Sequence, residues 1–363
     1  MAQVKGKAEG TPSSIEPTRE ALRDTGMEHG ASQEAGPAAI EVSNLVKRFA
    51  GVPVPALAGI SFKVKAGEIF GLLGPNGAGK TTTVGILTTR IRPSEGQVCV
   101  VGWDVSKAPA TVKKNIAVVA QRPNLDHELN ARENLIFHAA YFGVPRAVRE
   151  RRADELLKRL GLSNWKQQKL NHFSGGMAQR IMIARALMTD PQILFLDEPT
   201  ANLDPQSRLF VWDTIVDANK RGTTVILTTH NMEEADKLCH RVGIIDHGRL
   251  LALDTPDRLK SMVPGGSRLE VRIAPCNQEA VDTFLADLRE IFGAEQVELP
   301  DGTREHSARE EGVLFRLYTS SQDISDDIVC AARQAHVKVR EIRLSRPSLE
   351  NLFIFLTGRE LRA

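Results

Sequence analysis

The sequence predicts an α/β protein in two parts. The larger is a mainly parallel sheet with an antiparallel β subdomain and a helical insertion, and a small α+β domain follows it. Three observations point there. The runs Glu68–Leu73, Ile116–Ala120, Ile193–Leu196 and Val225–Leu227 are short and near-continuous in apolar residues rather than alternating, which suits strands covered on both faces. A glycine-rich loop at 74–79 separates the first of these runs from a helical pattern. Beyond Pro264-Gly265-Gly266 the rhythm shortens to strand, amphipathic helix, strand.

Bulk properties narrow the function classes. At 363 residues the chain exceeds one ordinary domain, and 42% hydrophobic with 25% charged residues can bury a core. Lys+Arg 47 against Asp+Glu 45 leaves a net charge of +2, which gives no electrostatic reason to expect nucleic acid as a partner. The cysteines, Cys99, Cys239, Cys276 and Cys330, lie far apart; zinc sites and redox dithiols need close pairs, so reduced thiols of a cytosolic protein are expected. No stretch approaches the roughly 18 consecutive apolar residues of a membrane span, and the first residues hold no apolar signal core. A membrane role would have to come through a partner.

The elements follow in order. Residues 1–38 are rich in Gly, Pro, Ser, Glu and Ala, with few large apolar side chains, and a disordered tail is expected there. Residues 39–263 read as the larger domain. Within it Ile40–Phe49 and Ile60–Val64 alternate, as in antiparallel strands with one wet face. Between Arg122 and Asn171 only helical patterns occur, Asn134–Phe142 and Ala147–Leu160, so a helical subdomain is expected at about 122–178. Its Arg146, Arg149, Arg151 and Arg152 read as a solvated helix face.

Residues 264–363 read as the accessory domain. The expected order is strand Leu269–Ile273, helix Glu279–Phe292, strand Gln296–Leu299, strand Gly312–Tyr318, helix Ile324–Ala335, strand Val337–Leu344 and a last helix from about Ser348. Val281, Phe284, Leu285, Leu288, Ile291 and Phe292 form one stripe on the first helix. Strand-helix-strand twice over is the ferredoxin-like order. The link Gly302–Glu311 is polar and expected to be mobile.

Three segments carry chemistry. Gly74-Pro75-Asn76-Gly77-Ala78-Gly79-Lys80-Thr81 fits G-x-x-x-x-G-K-[ST] between a strand and a helix. Glycines let successive N–H groups turn toward phosphate oxygens, and the helix N-terminus at Thr82 adds partial positive charge. Lys80 is placed to reach the β- and γ-phosphates, and Thr81 to ligate magnesium. Ile193–Leu196 ends in Asp197 and Glu198. Strand neighbours point to opposite faces, so Asp197 can serve the magnesium shell while Glu198 faces the attacking water. Phe173-Ser174-Gly175-Gly176-Met177 opens another helix, offering a hydroxyl and glycine N–H groups at a second positive helix end. One subunit does not need two such ends, but two subunits in head-to-tail opposition do.

These segments together resemble the nucleotide-binding subunit of an ATP-binding cassette (ABC) transporter, a member of the P-loop NTPases. The resemblance covers residues 40 to about 260 and implies ATP and magnesium as ligands. It implies phosphate contacts from Gly74, Pro75, Asn76, Gly77, Ala78, Gly79, Lys80, Thr81 and Thr82, and metal contacts from Thr81, Gln121 and Asp197. Glu198 would be the catalytic base, with Gln121, His230 and Lys80 assisting. Ser174, Gly175 and Gly176 match the family signature, and Ala201-Asn202-Leu203-Asp204 the loop that crosses the dimer interface. Phe49 sits where the family places an aromatic residue against adenine. Read alone, His230 is a histidine at a strand end, Gln121 a polar residue at a strand exit, and Phe49 a residue for which core packing also accounts. Met177 departs from the glutamine that often ends the signature. Ser-Gly-Gly-Met and the closing Pro347–Phe353 and Leu356–Leu361 segments resemble the branch of daunorubicin-resistance and lipo-oligosaccharide exporters.

That resemblance implies an exporter ATPase that dimerises on ATP and works through separate integral membrane permease subunits. It would be cytoplasmic, peripheral on the inner face of the membrane. The alternative is a soluble ABC ATPase acting on ribosomes or DNA, whose members carry two cassettes, long coiled coils or zinc cysteines that this chain lacks. On the last helix Leu349, Leu352, Phe353 and Leu356 are expected to pack inside the C-terminal domain; the alternative is that this helix holds the dimer or the transporter together.

Overall fold

The computed structural model describes residues 38–122, 124–263, 266–293, 297–298, 313–319, 325–345 and 347–357. Apart from Ala38, the expected tail lies outside the described residues, as do the 302–311 link and the closing residues 358–363.

The chain opens with β1 (Ala38–Lys47), β2 (Leu57–Lys65) and β3 (Ile69–Leu73). Helix α1 (Lys80–Leu87) follows, then β4 (Glu95–Val100), β5 (Trp103–Asp104), α2 (Pro109–Asn115) and β6 (Ile116–Val119). The insertion holds α3 (Ala131–Tyr141) and α4 (Arg146–Arg159), and α5 (Gly175–Leu187) leads out of it. Strands and helices then alternate through β7 (Ile193–Asp197), α6 (Pro205–Lys220), β8 (Thr224–Thr229) and α7 (Met232–Leu238). A hairpin of β9 (Arg241–Asp246) and β10 (Arg249–Asp254), then α8 (Pro256–Ser261), complete this part. The remainder is β11 (Ser267–Ile273), α9 (Gln278–Phe292), β12 (Val297–Glu298), β13 (Val313–Thr319), α10 (Ser325–Gln334), β14 (Val339–Ser345) and α11 (Leu349–Thr357).

The central sheet runs β10-β9-β3-β8-β7-β6, parallel except for the β10 edge. Alternation along each strand sorts its side chains between two cores. Leu73, Leu194, Leu196 and Leu227 face the helices of the insertion and α6. Phe70, Leu72, Phe195 and Ile226 face α1 and the antiparallel sheet β2-β1-β4-β5. Both faces are therefore dry, which is why these strands read as unbroken apolar runs. The consequence for function is positional. Val119 lies beside Leu196, Asp197 beside Thr228, and Leu73 beside Thr229, so the loops leaving β3, β6, β7 and β8 emerge together at one sheet edge, where open α/β sheets bind ligands.

The arginine run is anchored rather than idle. Arg146 pairs with Glu150 and Arg151 with Glu155, while Arg149 donates to the Val144 carbonyl and Arg152 to that of Met188. On α3, Phe137 and Tyr141 face solvent, as does Phe142 just past its end. His138, whose ring is tilted by 49° against that of Phe142 with centroids 4.9 Å apart, has its pKa lowered to about 4, first by burial and then by the Arg185 charge. A folded-state pKa below the ordinary 6.5 means that the folded form resists protonation. Stability is thus fully present above pH 6.5 and declines as pH falls toward 4. His138→Gln is expected to flatten the pH dependence of thermal unfolding across that window.

Two expectations are corrected in the C-terminal part. Its sheet runs β12-β13-β11-β14, all antiparallel, with α9 and α10 over one face. Val281, Phe284, Leu285 and Leu288 are buried there and Phe292 packs partly buried against the same core, but Ile291, expected on the same stripe, is 45% exposed. Helix α11 is not buried inside this domain. Leu349, Leu352 and Phe353 join the core of the larger domain, where α11 packs on α8 and α7. Their i, i+3, i+4 spacing builds one apolar face, and it meets the stretch that holds buried Leu238 and Leu259.

Candidate active site

The loop after β3 is shaped by close approach. A Cβ on Gly74 would lie 2.1 Å from the Ile245 carbonyl oxygen, so no other residue fits without moving the β9 backbone. Gly79, with φ of +109°, turns the chain into α1. Gly74→Ala is expected to cut nucleotide affinity by at least tenfold, with a lowered melting temperature, checked by calorimetry and thermal unfolding. Lys80 is buried at the start of α1 and folds back on the loop, donating to the carbonyls of Gly74 at 2.7 Å and Pro75 at 3.2 Å. Asn76, Gly77 and Thr81 face solvent, while Ala78 and Gly79 are buried and Pro75 and Thr82 half-buried.

Asp197 ends β7 and Glu198 follows with φ of +50°, a left-handed backbone unusual outside glycine. Glu198 lies beyond the strand, so this left-handed bend, and not the strand alternation expected from the sequence, parts the two carboxylates. Asp197 Oδ1 accepts from Thr228 Oγ1 at 2.6 Å and from Thr81 Oγ1 at 3.4 Å. A hydroxyl beside a carboxylate is the hard-oxygen pair suited to a small divalent cation.

Glu198 turns to the other side. Its Oε2 meets His230 Nδ1 at 2.7 Å and accepts from the His230 N–H at 3.4 Å. Its Oε1 lies 3.1 Å from Lys80 Nζ but has no hydrogen-bond partner. The ammonium balances its charge, and a water or phosphate-bound group beside it would supply the hydrogen bond it lacks. The glycine cradle, the inward lysine and this orphaned oxygen together fit a polyphosphate.

Other expected residues stand apart from this group. Gln121 lies two residues beyond Val119 on β6, as Glu198 lies two beyond Leu196 on the neighbouring β7; it is exposed at the same sheet edge. Phe49 is 41% exposed with Lys47 Nζ 4.9 Å from its ring centroid, which removes core packing as its explanation. Ser174 caps α5 by accepting from the Met177 N–H, and it and Gly175 face solvent. Gly176 abuts α6, where an added Cβ would fall 2.2 Å from Ser207 Oγ. Asp204 caps α6 through the Ser207 N–H, and hydrogen bonds from Ser207 hold its carboxyl below the usual range. Among the described residues no hydrogen bond or ion pair joins Ser174 to the Lys80–Glu198 group.

Comparison with known proteins agrees with this geometry. A family model described as ABC transporter matches residues 57–201. The linearmycin resistance ATP-binding protein LnrL of Bacillus subtilis (strain 168) is 36% identical over 326 residues, 89% of this chain and 99% of the relative. The chain belongs to the ABC transporter family. Within that family the doxorubicin resistance ATP-binding protein DrrA of Mycobacterium tuberculosis is 37% identical, covering 88% of this chain and 93% of its own length. The Nod factor export ATP-binding protein I of Rhizobium sp. (strain N33) is 36% identical over 89% of this chain and 98% of its own. Among solved structures, the ATP binding subunit of an ABC transporter matches with a TM-score of 0.56 at 30% identity, over 61% of this chain and 92% of that one. The dimeric post-hydrolysis state of an ATP-binding cassette bound to ADP and Pi matches at 0.55 and 27%, over 60% and 98%. This ABC protein binds and hydrolyses ATP.

Sequence reasoning about this ABC ATPase missed Thr228, which holds Asp197, and Glu234, which lies fully buried against Thr200 and Trp212. A threonine inside an apolar run gives no local signal. Glu234 falls in a helix whose other acids are exposed or half-buried, so only packing distinguishes it.

Proposed function

We propose that this chain powers an exporter: two copies, bound to ATP and magnesium, close on each other and drive separate integral membrane permease subunits. The observation that carries the reading is the division of the phosphate-binding groups. Lys80, Asp197, Glu198 and His230 converge at one sheet edge, while the Ser174 turn, with the exposed N–H side of a helix, faces solvent elsewhere. A second copy in head-to-tail opposition brings that turn to the nucleotide held by the first. Two charge-assisted hydrogen bonds to the γ-phosphate, at roughly 1.5–3 kcal/mol each, contribute on the order of 3–6 kcal/mol per site that ADP lacks. Moving an equilibrium from 1:99 to 99:1 takes about 5.5 kcal/mol, so closure depends on ATP.

In the closed state Glu198 orients the attacking water and takes its proton, with His230 fixing the carboxylate. Lys80 leaves the loop carbonyls for the phosphate oxygens, and Phe49 stacks on adenine. Thr81 and Asp197, with Gln121 at the side, would hold magnesium, which would supply charge stabilisation at the phosphates. Asp204 and its loop lie at the dimer interface. The relatives are named for drug resistance and export rather than for ribosomes or DNA, which favours the exporter over the alternative.

In this reading the permease is a separate chain and this one sits peripherally on the cytoplasmic side through it; among the described residues no helix is long and apolar enough to cross a membrane. Exposed Phe137, Tyr141 and Phe142, on and just past α3 in the segment after Gln121, form the docking face. Residues from about 264 form an accessory domain with a ferredoxin-like fold; the sheet order and the paired helices on one face support that reading. Its last helix belongs by packing to the ATPase domain.

The test has two parts. Ser174→Arg is expected to keep nucleotide affinity within about twofold while abolishing the ATP-dependent dimer in sedimentation. Full-length chain captured from detergent-solubilised membranes is expected to bring an integral membrane protein with it. A dimer that persists in Ser174→Arg refutes the head-to-tail arrangement.

A further inference from the structure

Glu234 is the one charged residue in the described structure with no exposed surface at all. It lies on α7, four residues after His230. Its Oε1 accepts from Thr200 Oγ1 at 2.7 Å and from Trp212 Nε1 at 2.9 Å, and its backbone N–H donates to Asn231 Oδ1, the cap of α7. Its Oε2 has no hydrogen-bond partner. Burying a carboxyl group this way is costly, and an apolar residue in its place would make neither the Thr200 nor the Trp212 bond.

The partners suggest the role. Thr200 is buried and lies two residues after Glu198, in the turn closed by the Ala201 N–H to the Glu198 carbonyl. Trp212 lies on α6, the helix that begins where the Ala201–Asp204 loop ends. Glu234 therefore joins three pieces: the turn below the catalytic carboxylate, the helix that starts beside His230, and the helix that carries the interface loop. The Glu198–His230 contact ties the first two at the reacting end, and the Thr200–Glu234 bond ties them again behind it. Two ties fix the relative orientation of the loops, which one would leave free to pivot. Both ends of the Ala201–Asp204 loop, Thr200 and α6, hang on the same Oε1.

We propose that Glu234 is a positioning residue for ATP hydrolysis: its Oε1 holds the Glu198 and His230 loops in register and links them to the loop at Ala201–Asp204. The proposal rests on the assignment of Glu198 as the base. It acts on the hydrolytic step and leaves the Lys80 loop, and hence nucleotide binding, unaltered.

The experiment measures kcat, KM and ATP affinity for the full-length chain and its variants, with thermal unfolding as the control for folding. Glu234→Ala is expected to lower kcat by at least tenfold with KM and ATP affinity within about twofold. Glu234→Gln keeps an oxygen for Thr200 and Trp212 and is expected to recover most of kcat. Thr200→Val and Trp212→Phe each remove one bond, and each is expected to reproduce part of the loss. If Glu234→Ala does not fold, these two carry the test. Combined with Glu234→Ala in a chain that folds, they add nothing further. A fall in melting temperature with kcat unchanged in the folded protein overturns the proposal, as does a Glu234→Gln variant as slow as Glu234→Ala. Glu198→Gln in the same assay separates the two claims. If it turns over normally, the base assignment fails; if it is inactive while Glu234→Ala is normal, only the positioning role fails.

Discussion

Glu198→Gln is expected to bind ATP as well as the parent protein does and to hydrolyse it about 10²–10⁴-fold more slowly, the range for loss of a positioned general base. The substitution keeps the shape of the side chain and one oxygen, so the left-handed turn at 198 and the contact to His230 can persist. It removes the basic oxygen that faces Lys80 without a hydrogen bond. It also dissolves the Lys80–Glu198 ion pair, which nucleotide must displace to engage Lys80, so ATP affinity should equal or exceed that of the parent. Because hydrolysis opens the dimer in the proposed cycle, this variant should accumulate closed with ATP and magnesium. Single-turnover hydrolysis and sedimentation measure both. Normal turnover would exclude Glu198 as the base, and a strictly monomeric ATP-bound protein would exclude the clamp.

Lys80→Ala is expected to lose binding and chemistry together. Each charge-assisted contact from the ammonium to phosphate is worth roughly 1.5–3 kcal/mol, so affinity should fall by one to two orders of magnitude or more. A second effect is specific to this geometry. Lys80 and Glu198 are both nearly solvent-free and 3.1 Å apart. Taking away the cation strands a buried carboxylate, a change that costs about 3–5 kcal/mol where such pairs have been broken. Nucleotide-free Lys80→Ala should therefore melt well below the parent. The double variant Lys80→Ala/Glu198→Gln should regain much of that stability while remaining inactive, because the stranded charge has gone. Calorimetric ATP titration and thermal unfolding of all three proteins check this. An unchanged melting temperature in Lys80→Ala would show that the pair carries no net stabilisation.

The contrast between legible and illegible residues is physical. The loop at 74–81 was readable because a phosphate cradle is built from consecutive backbone groups, which demand glycines at fixed spacing, and the same holds for Ser174 as a helix cap. His230 was readable only through family resemblance; its 2.7 Å contact with Glu198 depends on β8 lying beside β7. Thr228 and Glu234 carried no sequence signal, since each is an ordinary residue type whose partners sit on other elements. The reading of α11 failed for a related reason. Its apolar face was correct, but periodicity says which side is dry and not which surface covers it. Ile291 shows the same gap at a helix end.

What amino-acid order settled for this chain, then, is every feature held within a few consecutive residues: the strand-loop-helix turn at 74–81, the adjacent carboxylates that end β7 and the Ser174 cap of α5. Tertiary packing alone chose the rest. It set Lys80 against Glu198, joined Thr200 and Trp212 through Glu234 and returned α11 to α7 and α8. These pairings join residues 22 to 118 positions apart, and their strength comes from exclusion of water, which exists only once the sheet and its two cores have closed.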